Sequence, residues 1–221
     1  LYNPLSIAAW CRAMATGESL PEDIFFESGG LWHSWLNDSS FSAENREECR
    51  ARLENVRREE AARFRSLKVL FLTLGTNRYY RLNDNGRVVA NCHKQPGGRF
   101  TEEQLGVEGA KAVLGEALEA LWQVNPSLQI VFTVRPYRYA KYGFHGSRLG
   151  KAVLLLAVDG ICRAHEGRCF YFPAYEIVLD ELRDYRFYAA DMLHPSEVAV
   201  GYIWERFSEV CFPVETRSFM A

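Results

Sequence analysis

Three short apolar segments, separated by helical patterns, constrain the fold of this 221-residue chain more than any other feature. They cover residues 69–74, 128–134 and 168–172, and the first, Val-Leu-Phe-Leu-Thr-Leu, is almost continuously apolar. Such a run is typical of a strand buried on both faces, as in a parallel sheet. Strands of this kind alternating with helices predict an α/β fold in which right-handed crossovers connect parallel strands.

Helical periodicity predicts the elements between these strands. The predicted helices cover residues 5–15, 42–65, 102–124, 147–165, 175–182 and 195–210. In the third of them, apolar residues recur at the i, i+3, i+4, i+7 spacing that buries one helix face. The second is highly charged, which favours a solvated helix with i,i+4 ion pairs over a basic binding patch. Pro195 is expected at the first position of the last helix, where proline is favoured.

Two segments between the predicted helices and strands have a character of their own. Residues 25–41 are rich in aromatic side chains, Gly and Ser, which indicates an ordered loop rather than a flexible linker. Residues 79–100 form a hairpin-like excursion with Asn85-Gly86 as its turn signal. Both are interpreted as loops or insertions of one domain covering residues 1–221, since this length suits a single hydrophobic core.

The charge balance argues against several classes of partner. Twenty-six Lys and Arg residues stand against 28 Asp and Glu, which gives a formal net charge of −2. Such a balance provides no electrostatic reason to expect a nucleic-acid or membrane partner. No apolar run approaches the roughly 18–20 residues that span a bilayer. We therefore expect neither partner; the oligomeric state stays open.

The cysteines and the phosphate-binding motifs bear on cofactors and on the cellular compartment. Six cysteines in a chain of this length do not suggest a disulfide scaffold, and several stand among apolar residues. Reduced, structural cysteines and a cytoplasmic location are the expectation. Cys162, His165 and Cys169 lack the paired short spacings of a zinc site. Neither Gly-x-Gly-x-x-Gly nor a P-loop occurs. We expect no metal and no cofactor.

The segment Asp191-Met192-Leu193-His194-Pro195 follows the last predicted strand. In open α/β sheets, ligands bind beyond the carboxyl ends of the strands, so this loop is a candidate site. An Asp three residues before a His can accept a hydrogen bond from one imidazole nitrogen and leave the other free as a general base. A pair that only caps the following helix is the alternative.

Gly75-Thr76-Asn77 comes directly after the first strand. Glycine allows close approach of the backbone, and the Asn77 amide can donate a hydrogen bond to a developing oxyanion. An ordinary strand-to-loop turn is the alternative, because both residue types are common in turns.

Together these motifs resemble the third and fifth sequence blocks of the SGNH (GDSL-like) hydrolases. The resemblance is closer to one branch, the GSCFA family, and spans nearly the whole chain. The segments that carry it are Leu1–Ile7, Leu72–Thr76, Val89–Lys94 and Tyr185–Ser196. It implies a three-layer α/β/α architecture with a mostly parallel, flavodoxin-like sheet.

The resemblance also implies roles for individual residues. His194 is the implied general base, Asp191 its orienting partner and Asn77 an oxyanion donor beside Gly75. Asn91 and His93 are implied in the wall of the site. Two residues just before the Asp-His loop, Arg186 and Tyr188, are candidate substrate contacts.

The family's Gly-Ser-Cys-Phe-Ala block, which carries the serine nucleophile, does not occur in the 221 residues. Ser28 and Ser147 lack the preceding buried strand that a nucleophile needs, so neither is a good substitute. The chain also begins at Leu1 without an initiator methionine, which we interpret as a domain that lacks its first strand. The chain as it stands is expected to be inactive.

The resulting hypothesis is a Ser-His-Asp ester hydrolase that forms an acyl-enzyme. The expected substrate is a small-molecule or carbohydrate ester. Two alternatives remain, namely a non-catalytic ligand-binding protein on the same scaffold and an acyltransferase that uses the same residues.

Overall fold

The computed structural model describes residues 2–220, which form a mixed α/β fold with open sheets. Its helices are α1 (Pro4–Thr16), α2 (Arg46–Phe64), α3 (Val107–Val124), α4 (Gly143–Ala164), α5 (Ala174–Glu176), α6 (Glu197–Cys211) and α7 (Val214–Met220). Its strands are β1 (Phe25–Ser28), β2 (Leu31–Ser34), β3 (Val69–Leu74), β4 (Arg78–Leu82), β5 (Val88–Val89), β6 (Phe100–Gln104), β7 (Gln129–Val134) and β8 (Cys169–Phe172).

The three predicted apolar strands form one parallel sheet in the order β3-β7-β8. Leu72 aligns with Phe132 across the first pair, and Ile130 aligns with Cys169 across the second. The helices that connect these strands are α3 and α4, as the alternating pattern predicts. The parallel α/β class is therefore confirmed.

Helices pack on both faces of this sheet. On one face, α1, α3 and α4 bury an apolar core against β3 and β7, with Leu118, Phe132 and Leu154 almost fully enclosed. On the opposite face, Phe207 of α6 stands edge-on to Phe71 of β3 and to Phe172 of β8.

The prediction that residues 69–74 are buried on both faces is wrong. Leu72 and Leu74 are buried, whereas the Phe71 side chain keeps 44% of its surface exposed. The reason is the position of β3 at the sheet edge, where α6 covers the second face only in part. A continuous apolar run does not distinguish a central strand from an edge strand.

The segment 25–41 contains a hairpin rather than only a loop. Strands β1 and β2 pair antiparallel from Phe25 opposite Ser34 to Ser28 opposite Leu31. The connection is Gly29-Gly30, both at positive φ, a backbone conformation that glycine adopts without steric cost. The hairpin packs on α2.

The excursion at residues 79–100 is larger than expected. Strand β4 pairs with β5, as the Asn-Gly signal indicated, and on its other side with β6. The prediction that a helix begins at Glu102 is wrong, because Glu102 and Glu103 lie in β6 and pair with Arg78 and Arg81 of β4. Helix α3 begins only at Val107.

Two of the predicted helices, α2 and the one at residues 175–182, agree with the structure only in part. Helix α2 carries the expected i,i+4 pairs, for example Arg50–Glu54, although its Leu53 is fully buried. The predicted helix 175–182 is a single turn, α5, continued by a π-helical turn at Ile177–Glu181.

All six cysteines are free thiols. None of the helices in residues 2–220 has the length and apolar character needed to cross a membrane.

Candidate active site

The carboxyl ends of the parallel strands meet three loops, and these loops contact one another. The loop after β7 begins with a hydrogen bond from the Arg135 N–H to the Leu74 carbonyl of β3, 2.9 Å. Further along, the Arg138 N–H donates to the carbonyl of Leu193, 3.1 Å, which attaches the Asp191–His194 segment to the same edge. The residues that the sequence analysis singled out at Gly75 and His194 therefore belong to one end of the sheet.

Asp191 and His194 form a hydrogen-bonded pair. Nδ1 of His194 lies 2.5 Å from Oδ2 of Asp191, while Oδ1 accepts the N–H groups of Leu193 and His194 at 2.9 and 3.0 Å. These hydrogen bonds, led by the His194 backbone N–H, lower the pKa of Asp191 to about 2. A carboxylate at Nδ1 favours the tautomer whose proton is on Nδ1, and this leaves Nε2 as a proton acceptor. Both side chains are accessible to solvent.

Backbone hydrogen bonds hold this pair in place. The Ala189 N–H donates to the His194 carbonyl and the Ser196 N–H donates to Phe187, each at 2.8 Å, so that Tyr188 and Pro195 form an antiparallel bridge. Pro195 is therefore not the first residue of the helix, contrary to the prediction. Ser196 caps α6, which begins one residue later, and an extended bridge rather than a helical turn fixes His194.

Aromatic rings connect His194 to the end of β3. The Tyr137 ring packs on the His194 imidazole with centroids 4.3 Å apart, and Tyr139 stands edge-on to Tyr137 at 4.8 Å. The Tyr139 hydroxyl in turn lies against Gly75, 2.9 Å from where a β-carbon would be. Neither tyrosine was recognised from the sequence, because a Tyr-x-Tyr pattern in a loop carries no specific signal.

Gly75 is held by backbone and side-chain hydrogen bonds. Its N–H and that of Thr76 both donate to the Tyr2 carbonyl, at 2.7 and 3.2 Å. Its own carbonyl accepts a hydrogen bond from Nζ of Lys151. A side chain at this position would meet Tyr2 and Tyr139, so glycine is required for close approach, as the sequence analysis expected.

Lys151 is a buried cation that sequence reasoning missed. The side chain projects from α4, keeps 2% of its surface exposed and lies with Nζ 5.2 Å from the centroid of the Tyr139 ring. Burial, helped by the nearby Arg135 charge, lowers the pKa of Lys151 to about 7. The only sequence signal is a single charge in the apolar stretch of a helix.

Asn77 lies below the surface, between the loop after β3 and helix α4. Its side chain is 3% exposed, and Nδ2 donates to the Leu105 carbonyl at 2.8 Å. Oδ1 faces Gly150 of α4 and has no hydrogen-bond partner within residues 2–220. One amide hydrogen of Asn77 is thus used to hold the fold.

Asn91 and His93 lie in a different neighbourhood. The Asn91 side chain accepts the His93 N–H, and Nε2 of His93 is 2.8 Å from the Ser34 carbonyl of β2. The His93 ring packs near His33, with centroids 4.9 Å apart, and burial lowers its pKa. Across residues 2–220, neither residue makes a hydrogen bond or an aromatic contact with His194.

Arg186 and Tyr188 differ in exposure. Arg186 points to solvent and pairs with Asp184 at 3.0 Å. Tyr188 is buried beneath Arg138, whose guanidinium carbon is 3.7 Å from the Tyr188 ring centroid. Tyr188 is thus directly linked to the loop that contacts His194.

A cleft lies next to Tyr137, whose ring packs on His194. It consists of two adjoining cavities of about 230 Å³ each, which share Arg138, Arg148, Leu179 and Tyr185. The first cavity is also lined by Tyr137, the residue that packs on His194, and by Ser147 of α4. Among the serines weighed from the sequence, Ser147 is therefore in the vicinity of the pair. Its hydroxyl oxygen accepts the Tyr139 N–H at 3.1 Å.

Metal-binding residue types are dispersed in the part of the chain that the structure describes. No group of three His, Cys, Asp or Glu side chains is arranged to hold a metal there. Of the residues weighed as ligands, His165 packs on Trp122 with ring centroids 4.8 Å apart, and Cys169 is buried in the core.

These features define an α/β protein with an accessible Asp-His pair at the carboxyl edge of a parallel sheet. The GSCFA family model matches residues 1–207, and the chain belongs to that family. No curated protein and no solved structure shows significant similarity to it.

Proposed function

We propose that the protein is a serine-dependent ester hydrolase of the SGNH type that acts on a small-molecule or carbohydrate ester. The observation that carries this proposal is the Asp191–His194 pair, with Nδ1 bonded to the carboxylate and Nε2 free of protein partners within residues 2–220. Its position beyond the ends of parallel strands, where α/β proteins bind ligands, supports the same reading.

The chemistry assigns one task to each group. A serine Oγ attacks the ester carbonyl carbon while its proton passes to Nε2 of His194. Collapse of the tetrahedral intermediate breaks the bond to the alcohol, which leaves with that proton. Water, activated by the same imidazole, then cleaves the acyl-enzyme and releases the acid. Asp191 holds the imidazole in the required tautomer throughout.

We propose that the catalytic serine lies at the end of a strand next to β3. Within residues 2–220, β3 pairs only with β7, and an apolar cavity of about 420 Å³ lies beside its other edge. A strand bearing the Gly-Ser-Cys-Phe-Ala block that the resemblance implies could pair parallel to that edge. It would then end next to Gly75, at the same edge of the sheet as His194.

Labelling with a fluorophosphonate probe tests the proposal on the protein expressed from its complete gene. We expect the probe to label a serine. This labelling should be lost in His194→Ala and retained in His145→Ala, a control in an exposed part of α4. Mass spectrometry of the labelled peptide identifies the nucleophile and distinguishes Ser147 from a serine elsewhere. Labelling that persists in His194→Ala, or no labelling at all, would contradict the hydrolase and favour the non-catalytic binding protein.

A further inference from the structure

The cleft next to Tyr137 is lined by positively charged side chains. Arg138 and Arg148 face both of its cavities, and Arg183 lines the second. Within residues 2–220 none of these three guanidiniums pairs with a carboxylate, unlike that of Arg163, which pairs with Asp159. Asp184, the acidic residue that lines the cleft, is bonded to Arg186 and to the Arg186 backbone N–H. The cleft therefore keeps a net positive charge.

Neighbouring aromatic rings pack around the Arg138 guanidinium. The Arg138 guanidinium carbon lies 3.7 Å from the centroid of the buried Tyr188 ring, within the range of a cation–π interaction. The positive charges of Arg138 and Arg148 also oppose the rise in the pKa of Tyr188 that burial causes. Both arginines line the same cavity as Tyr188.

Helix α4 adds to the positive potential. Its 22 residues begin at Gly143 without a side-chain cap, and Ser147 and Arg148 of its first turns line the cleft. The N-terminus of such a helix carries partial positive charge and unpaired N–H groups, which attract anions. Tyr137, Tyr175 and Leu179 supply an apolar wall on the other side.

We propose that this cleft binds an anionic group, a carboxylate or a phosphate, on the ester that His194 acts on. Arg138 and Arg148 bind the anion, and the tyrosine-lined wall accommodates the apolar face of the molecule that carries it. Tyr137 lines the cleft and its ring packs on His194, so this one ring connects the bound molecule to the neighbourhood of the catalytic base. This assignment of substrate class rests on the proposed hydrolase function, but the binding step can be measured without turnover.

Calorimetric titration of the protein with phenyl phosphate, benzoate and phenol tests the proposal. These probes share a ring and differ in charge. We expect at least one of the two anions to bind about tenfold more tightly than phenol, with affinity that falls as salt is raised. The tighter anion decides between a phosphate and a carboxylate substrate. Equal affinity for all three probes would overturn the anion site.

Variants locate the binding. We expect Arg148→Gln and Arg138→Gln each to lower the affinity for the preferred anion about tenfold, since each removes a charged donor. Arg163→Gln, at the far end of the same helix, is the matched control and should bind as the wild type does. Arg138→Lys keeps a positive charge next to Tyr188 but loses the planar guanidinium. Its affinity for the anion should therefore lie between those of the wild type and Arg138→Gln, and it serves as the test if Arg138→Gln folds poorly. Unchanged affinity in Arg148→Gln would refute the site.

The two proposals fail separately. Loss of anion binding with His194-dependent fluorophosphonate labelling intact would overturn the anion site alone. Charge-dependent binding without labelling would refute the hydrolase, together with its ester substrate, and would leave an anion-binding protein.

Discussion

Nδ1 of His194 and Oδ2 of Asp191 lie 2.5 Å apart. Only two residues separate them in the chain, so the backbone must turn tightly between them. The turn that allows this contact places Met192 at a φ of 60°, in the left-handed region that non-glycine residues seldom occupy. Two backbone N–H groups of the same turn bind the other carboxylate oxygen. The segment is thus a pre-formed carboxylate–imidazole unit, attached to the sheet by the Arg138–Leu193 hydrogen bond.

Replacement of Asp191 tests whether this unit is catalytic. In Asp191→Asn the side chain keeps its size, but its amide no longer selects the tautomer that leaves Nε2 free. We expect the rate of fluorophosphonate labelling to fall by about 10³–10⁴, as for a triad that loses its orienting carboxylate. Asp159→Asn, on the exposed side of α4, is the control, and an unaltered rate in Asp191→Asn would refute the assigned role.

Gly75→Ala tests the close packing at the end of β3. The new β-carbon would lie 2.9 Å from the Tyr139 hydroxyl and 3.1 Å from the Tyr2 β-carbon. We expect a loss of about 1–3 kcal/mol in the free energy of unfolding, measured by urea denaturation, because the site is already filled. Gly97→Ala, which has open space around it, should change stability by less than about 0.5 kcal/mol. Equal effects of the two substitutions would argue against this packing.

A pair of helical glycines tests the position of Asn77. In Gly150→Ala the β-carbon would come within 2.8 Å of Asn77 Oδ1, while Gly115→Ala in α3 meets nothing within 4 Å. Helix propensity alone favours both substitutions by about 1 kcal/mol. We therefore expect Gly115→Ala to raise the thermal midpoint and Gly150→Ala to lower it. A stabilised Gly150→Ala variant would show that Asn77 is not held against α4.

Lys151→Met tests the buried lysine through the pH dependence of stability. The pKa of Lys151 is lowered to about 7, against roughly 10.4 in an unfolded chain. Between these values the unfolded chain binds one proton more than the folded chain, so stability rises with pH, by up to about 1.4 kcal/mol per unit. Urea titrations from pH 7 to 8, below the range in which the thiols of the unfolded chain ionise, should show this rise in the wild type and in Lys68→Met, an exposed control. Its persistence in Lys151→Met would contradict the assignment.

The two candidate sites differ in how far sequence reasoning could reach them. Asp191 and His194 were identified because their pairing depends on a turn within one short segment. The arginine-lined cleft was missed, since Arg138 and Arg148 come from the loop after β7 and from α4, and Tyr188 from a third element. A set of residues assembled from separate elements leaves no spacing pattern in the sequence.

The sequence by itself determined the parallel α/β class, because local apolar patterns predict both the buried strands and the amphipathic helices. The tertiary contacts agree with these local preferences. Only the tertiary structure decided that Phe71 of β3 stays half exposed, that residues 100–104 form β6 rather than the start of a helix, and that Asn77 packs beneath α4. Each of these depends on which neighbour a segment meets. Partners distant in sequence determine the pairing of backbone hydrogen bonds and the burial of polar side chains.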